Sequence, residues 1–217
     1  MSEDTRTRIN RAAATLFFTH GYKKTTLRMI GDLVGISHVS VLRYFKNKNE
    51  LAAQTVVSYI AGLEKLCYQI LEEVPADLAD AEYCRHMIWW TMHYRLLSLN
   101  PTFREFYITF WGEEQTVISR RTQMPGPEAL KFIQISPPKA EALIYGSLSS
   151  ALDSTIARLI GMKALSAAKA TKLIIQQIDR LDIDLSHLPD EAEILDFEQT
   201  YLPKRKIDLL NEILLVN

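Results

Sequence analysis

The chain has 217 residues, 47% of them hydrophobic, which is enough apolar material for one large packed domain or a small one joined to a larger one. Its net charge of -1 hides an uneven distribution: residues 1–50 hold nine Lys and Arg against four Asp and Glu, leaving +5 in front and -6 behind, so any attraction to a polyphosphate is concentrated at the front. The two cysteines, Cys67 and Cys84, have no metal or redox spacing, the opening MSEDTRTRIN lacks the apolar stretch of a signal peptide, and no run nears the ~18 apolar residues of a membrane span; a disulfide framework, a zinc site, export and membrane insertion are not expected, and a reducing cytoplasm is the default location.

The first informative segment runs from Thr25 to Leu51. Leu27, Ile30 and Val34 recur at helical spacing until Gly35, where a chain leaving a helix can turn left-handed cheaply. Ser37 is suited to accept bonds from the first amides of a second helix, whose Val41 and Phe45, with Ile36, can pack back on the first. Two helices joined by a tight turn place the second in the major groove of double-stranded DNA, while nearby helix ends and basic residues hold phosphates. His38, Ser40 and Arg43 have the short or polar chemistry that reaches base edges, with Val39 as a candidate for a thymine methyl or for the domain's own core. Thr25, Thr26, Ser37, Tyr44, Lys46 and Lys48 flank the unit where backbone phosphates would lie.

These residues resemble the DNA-binding domain of the TetR family of transcriptional regulators. The likeness begins with Ile9, Ala13, Leu16, Phe17, Gly21 and Tyr22, continues through Thr25, Thr26, Ile30, Gly35, Ile36 and Ser37, and closes with Phe45, Lys48 and Leu51. Three helices with Gly-Tyr, Thr-Thr and Phe-x-x-Lys in order are far more specific than a bare helix-turn-helix. The chain departs from the pattern in three places. Gly31 stands where the family commonly has Ala, at a helix cost of up to about 1 kcal/mol, and Val39 and Leu42 replace a Gly and a Tyr that touches the DNA backbone.

Leu51, Thr55, Tyr59, Leu63, Leu66 and Ile70 trace one face of a long helix that begins after Asn47 and ends before Pro75, with Asn47 and Glu50 spaced as a capping box. This helix leads from the front unit into the rest of the chain. Further helices are expected over about 80–99, ending before Asn100-Pro101, over about 102–121, from Pro137-Pro138 to about Gly161, and from Ser166 to about Leu181; no strand pattern competes. The helices near 138–161 and 166–182 carry more apolar positions than one stripe needs, and small residues such as Gly146 and Ser150 would let a partner helix approach. The resemblance implies a homodimer built there as a four-helix bundle; ordinary core is the plainer alternative. Beyond Pro189 an acidic stretch, DEAEILDFEQ, precedes a tail whose apolar residues Ile207, Leu210, Ile213 and Leu214 suit one or two short helices.

Nine of the twenty aromatic residues fall between Tyr83 and Trp111. Trp89, Trp90, His93, Tyr94, Phe106, Tyr107, Phe110 and Trp111 are the candidates to line a pocket for a small apolar or aromatic effector, with His86, Arg95 or Gln115 for polar contacts; aromatic residues at helical spacing also serve as plain core. Glu82, His86 and His93 share a helix face, but no second Glu/His set accompanies them, so no metal is expected. No phosphate loop or nucleophile elbow occurs, hence no enzyme and no cofactor. The expected fold is all-α, with a three-helix helix-turn-helix DNA-binding domain over 1–50 and a helical ligand-binding and dimerisation domain over 51–217. The expected function is a ligand-responsive repressor that binds a palindromic operator as a homodimer. A DNA-bound protein whose helical domain recruits a protein partner is the alternative, and an all-helical enzyme is a more distant one.

Overall fold

A computed structural model of the chain describes residues 4–76, 82–112, 152–178 and 189–202, and all regular structure among the described residues is helical. Helix α1 (Thr5–His20) starts where Asp4 accepts from the amides of Arg6 and Thr7, and stops at Gly21, whose φ of 82° and ψ of 160° close the helix to any ordinary side chain. Helix α2 (Leu27–Val34) is capped by the Thr26 hydroxyl, a role not foreseen from the sequence, and ends on Gly35 in the left-handed region, the expected stop. Helix α3 (His38–Tyr44) follows Ser37, and helix α4 (Lys48–Leu71) follows Asn47. The cap of α4 differs from the expected box in one half. Asn47 Oδ1 accepts from Glu50 N at 2.8 Å as anticipated, but the Glu50 carboxylate reaches one residue further back, to Lys46 N at 2.7 Å.

Helix α5 (Glu82–Leu99) and helix α6 (Pro101–Tyr107) meet at Asn100, which caps α6 with Pro101 in its first turn; α6 then passes into a π-helical turn, Ile108–Gly112. The remainder of the helix anticipated to 121, Gln115 included, lies outside the described residues. Helix α7 spans 152–161 and helix α8 (Ala167–Ile178) is capped by Ser166 Oγ on Lys169 N at 3.1 Å. The stretch 138–151 and the tail beyond 202 also lie outside the described residues.

The acidic segment after Pro189 is itself helix α9 (Glu191–Tyr201), opened by a full capping box in which Asp190 accepts from Glu193 N and Glu193 Oε2 accepts from Asp190 N. Ile194 and Phe197 are buried, and α9 packs on α8 and α5, joined at its rim by Arg95 to Glu198 at 3.2 Å. One buried apolar cluster runs through the described helices. Helix α1 lies against α4, α2 and α6, so its two buried faces serve the front unit and the rest of the chain at once. Among the described residues no helix is long and apolar enough to cross a membrane, and no group of three His, Cys, Asp or Glu side chains could hold a metal.

Candidate nucleic-acid interface

Helices α2 and α3 are held as a pair by the backbone of their turn. Ile36 N donates to Gly31 O at 2.9 Å, and a Cβ placed on Gly31 would stand 2.5 Å from Ile36 O, so the departure to glycine at this position permits the turn to sit directly on α2. Helix α1 supplies the next layer. Arg8 Nη2 donates to Val34 O at 2.8 Å and Arg6 Nη1 to Tyr44 O at 2.7 Å, so that each arginine satisfies a carbonyl at the C-terminal end of one helix of the pair. The Arg6 guanidinium also lies 4.4 Å from the centre of the Phe45 ring. Sequence reading missed both roles. The signal was available only in part, since Arg6 and Arg8 are two apart on a helix and their partners are 38 and 26 residues away.

Val41 and Phe45 face inward and are buried, whereas His38, Val39, Leu42, Arg43 and Tyr44 are exposed. At 53% exposure Val39 is no part of the core, which removes one of its two expected roles. Ser37 Oγ accepts from Ser40 N at 3.1 Å and lies 3.0 Å from Ser40 Oγ, so the two hydroxyls share the helix cap. Thr26 is exposed and caps α2 through Met29 N at 3.2 Å. Thr25 is placed differently from the rest of the expected set: its side chain is fully buried and its hydroxyl donates to Gly21 O at 2.9 Å. Lys46 is exposed beside α3.

Lys48 is half-committed to the fold. Its Nζ donates to Tyr22 O at 3.0 Å and Thr25 O at 3.1 Å and lies 4.0 Å from the centre of the Tyr22 ring, which leaves one of three ammonium hydrogens for an outside partner. Loss of hydration at this spot lowers its pKa from the ordinary lysine value. The Tyr22 hydroxyl in turn donates to Asn49 Oδ1.

The aromatic residues expected to line a pocket divide into two groups. Phe106 and Phe110, with Phe103, turn toward α1: Phe17 stacks on Phe106 at 5.2 Å, Phe18 meets Phe103 edge-on at 4.7 Å, and Tyr22 meets Phe110 at 4.4 Å. They are the seam between the front unit and the rest. His93, Tyr94 and Tyr107 instead surround Asp153 of α7. Tyr107 donates to Asp153 Oδ2 at 2.5 Å, His93 Nε2 lies 3.4 Å from Asp153 Oδ1, and Tyr59 of α4 bonds His93 Nδ1 at 2.7 Å, all of them buried. Burial raises the pKa of Tyr59, Tyr94 and Tyr107 well above the ordinary phenol value, and the Asp153 carboxylate pushes in the same direction. Trp89 and Trp90 are half-buried next to this group, Trp89 stacked on His93 at 5.2 Å and Trp90 on Tyr94 at 5.5 Å. Of Trp111 only the backbone is described. Asp153 was missed in the sequence because nothing near it in the chain marks it as a partner of residues about 50 to 90 positions earlier.

A helix pair with an outward second helix, a tight glycine-dependent turn and basic residues along its edge is the construction of a helix-turn-helix DNA-binding protein. Residues 9–55 match the sequence profile described as bacterial regulatory proteins, tetR family. Over these residues the chain is similar to the DNA-binding domain of TetR-family transcriptional regulators. A solved structure described as a tetR family transcription regulator from Shewanella sp. PV-4 has the same fold, with a TM-score of 0.50 and 13% identity over 82% of this chain and 98% of that one. A TetR-family regulator from Rhodococcus sp. follows at a TM-score of 0.49 with 15% identity, over 81% of this chain and 96% of that one. A TetR-like regulator from Rhodococcus sp. RHA1 has a TM-score of 0.44 with 14% identity, over 83% and 97%. No curated protein matches the sequence.

Proposed function

We propose that the chain is a cytoplasmic, homodimeric repressor that binds a palindromic operator and releases it when a small apolar or aromatic effector binds. The observation that carries the DNA side of this reading is the outward face of α3, where His38, Val39, Leu42 and Arg43 are exposed on a helix whose other side is locked into the core by Val41 and Phe45. Arg43, with His38, Val39 and Ser40, reads bases; Thr26, Ser37, Tyr44, Lys46 and the remaining hydrogen of Lys48 meet phosphates. Exposed Leu159, Met162 and Leu173 at the ends of α7 and on α8 support a second subunit docking through the helices near 138–161 and 166–182. Two recognition helices must then match half-sites about one helical turn or a multiple apart, so an effector that favours another separation weakens binding by its differential affinity for the two states.

The effector side rests on the half-buried Trp89 and Trp90 beside the His93, Tyr94, Tyr107 and Asp153 cluster, and on the aromatic seam that joins α6 to α1. Selection of bound duplexes from a random pool, repeated with metabolite fractions, tests both halves. Recovery of an inverted repeat supports the dimeric operator reading and its loss with one fraction supports the effector. A monomeric protein that ignores duplex DNA even at low salt would overturn the proposal.

A further inference from the structure

Two apolar side chains stand in the middle of the α3 face that the proposed function turns toward DNA. Val39 is 53% exposed and Leu42 40%, and their spacing of three residues puts them on one side of the helix. The hydroxyls of Ser37 and Ser40 also serve the helix cap, so each has only part of its hydrogen-bonding capacity left for DNA beside His38 and Arg43. The surroundings are basic: Arg43 and Lys46 are exposed at its edge, and the first 50 residues carry an excess of five positive charges, which favours a polyphosphate partner over an apolar protein surface.

An apolar side chain pressed into the major groove gains from one kind of base group, the C5-methyl of a pyrimidine; cytosine offers an amino donor and no methyl there. Three residues advance about 4.5 Å along a helix, on the order of one base step of about 3.4 Å. We propose that Val39 and Leu42 form a strip that reads the C5-methyl groups of two neighbouring pyrimidines in each half-site. The operator therefore carries thymine at those positions, and 5-methylcytosine substitutes for it where cytosine does not. This rests on the proposed function, since it names the chemistry by which the same helix discriminates sequence.

The test uses the full-length protein and the duplex recovered from the random pool. Each thymine is replaced in turn by uracil, which removes the methyl group and nothing else. Wild-type affinity should fall about fourfold at each contacted position, the worth of one buried methyl group, and should be unaffected elsewhere. Val39→Ala should lose the uracil effect at one position and Leu42→Ala at the other, whereas Arg43→Ala should keep both. At the same positions a 5-methylcytosine·guanine pair should bind more tightly than cytosine·guanine by the same factor. Specific binding that is indifferent to every thymine-to-uracil change overturns the methyl reading and leaves the operator reading intact; so does a uracil effect that survives in both alanine variants, which assigns it to DNA shape. Failure to recover any bound duplex overturns both.

Discussion

Replacing Gly31 by Ala sets two measurable effects against each other. In an exposed helix the exchange would stabilise by up to about 1 kcal/mol, because alanine is the better helix former. In this chain the new methyl would lie 2.5 Å from Ile36 O and 3.3 Å from His38 N and Ser37 C, all of them backbone atoms of the turn and the start of α3. No side chain can rotate to make room, so α3 must move away from α2 by several tenths of an ångström. Overpacking of this kind costs about 1–3 kcal/mol, which leaves a net loss of about 1 kcal/mol and a melting temperature lower by about 2–4 °C for a chain of this size. The displacement acts directly on the recognition helix, so binding to the selected operator should fall by more than binding to random duplex, which depends on phosphate contacts alone. Thermal unfolding and competition titrations with the two duplexes measure these quantities. A Gly31→Ala protein that melts higher than wild type and binds the operator equally well would show that the turn has room, and the close-approach account of this glycine would be wrong.

Gly21→Ala should cost about 1–3 kcal/mol in denaturant titrations, because φ 82° with ψ 160° is a region only glycine occupies freely, whereas Gly35→Asn, in the left-handed region that Asn tolerates, should cost well under half as much; equal losses would refute the distinction. Tyr107→Phe should destabilise by about 1.5–3 kcal/mol by removing the donor to a buried carboxylate, and a loss below about 0.5 kcal/mol in the same titration would show that the phenol does not hold Asp153. His86 is kept neutral chiefly by burial, helped by the charge of Arg85, with its pKa lowered from 6.5 to about 4. Its unfolded form therefore takes up a proton first as the pH falls: stability is at its full value above 6.5 and declines by about 3 kcal/mol between 6.5 and 4, and His86→Leu should flatten that part of the stability curve. Cys67 and Cys84 are buried, with thiols pushed up to about 12 and about 11, so maleimide at pH 8 should label neither in the folded protein and both after unfolding.

What could be read from the sequence was what local rules govern. Gly35, Ser37, Asn47, Asn100 and Ser166 each mark a helix end by their own chemistry, and all five stand at helix ends in the structure. The missed helix α9 obeyed the same rule, since Asp190 and Glu193 are spaced as a capping box, but its acidic composition hid an apolar set of Ile194 and Phe197. What could not be read was long-range. Thr25 and Lys48 have the residue types of phosphate ligands, and nothing local reveals that one hydroxyl is spent on Gly21 O or that one ammonium is drawn onto the carbonyls of Tyr22 and Thr25. The same holds for the aromatic run. Periodicity places Phe106 and Tyr107 on one helix, but it does not say that one turns to α1 and its neighbour to a carboxylate on α7.

That division bears on how the two parts of the chain can influence each other. Phe17 and Phe18 of α1 are fully buried, and the rings that cover them include Phe103 and Phe106. A fragment ending at residue 50 would expose these rings to water at a cost of several kcal/mol, on the order of 1.5–3 kcal/mol for each side chain uncovered, so the front unit depends on α6 for part of its core. Tyr22 concentrates the connection. Its ring meets Phe110 of the π-helical turn on one side and the Lys48 ammonium on another, its carbonyl accepts from that ammonium, and its hydroxyl reaches Asn49. Lys48 and Asn49 open α4, directly after the C-terminal end of α3 at Tyr44 and Phe45. A shift of the π-helical turn that carries Phe110 away from Tyr22 therefore acts, through contacts of 4.4 Å and less, on the residues that fix where the recognition helix ends. No comparable chain of direct contacts is needed along the full length of α4. Under the proposed function, the seam between α1 and α6 is one physical route, beside the direct bond of Tyr59 on α4 to His93, by which an effector near Trp89 and Tyr107 would alter the spacing of two recognition helices.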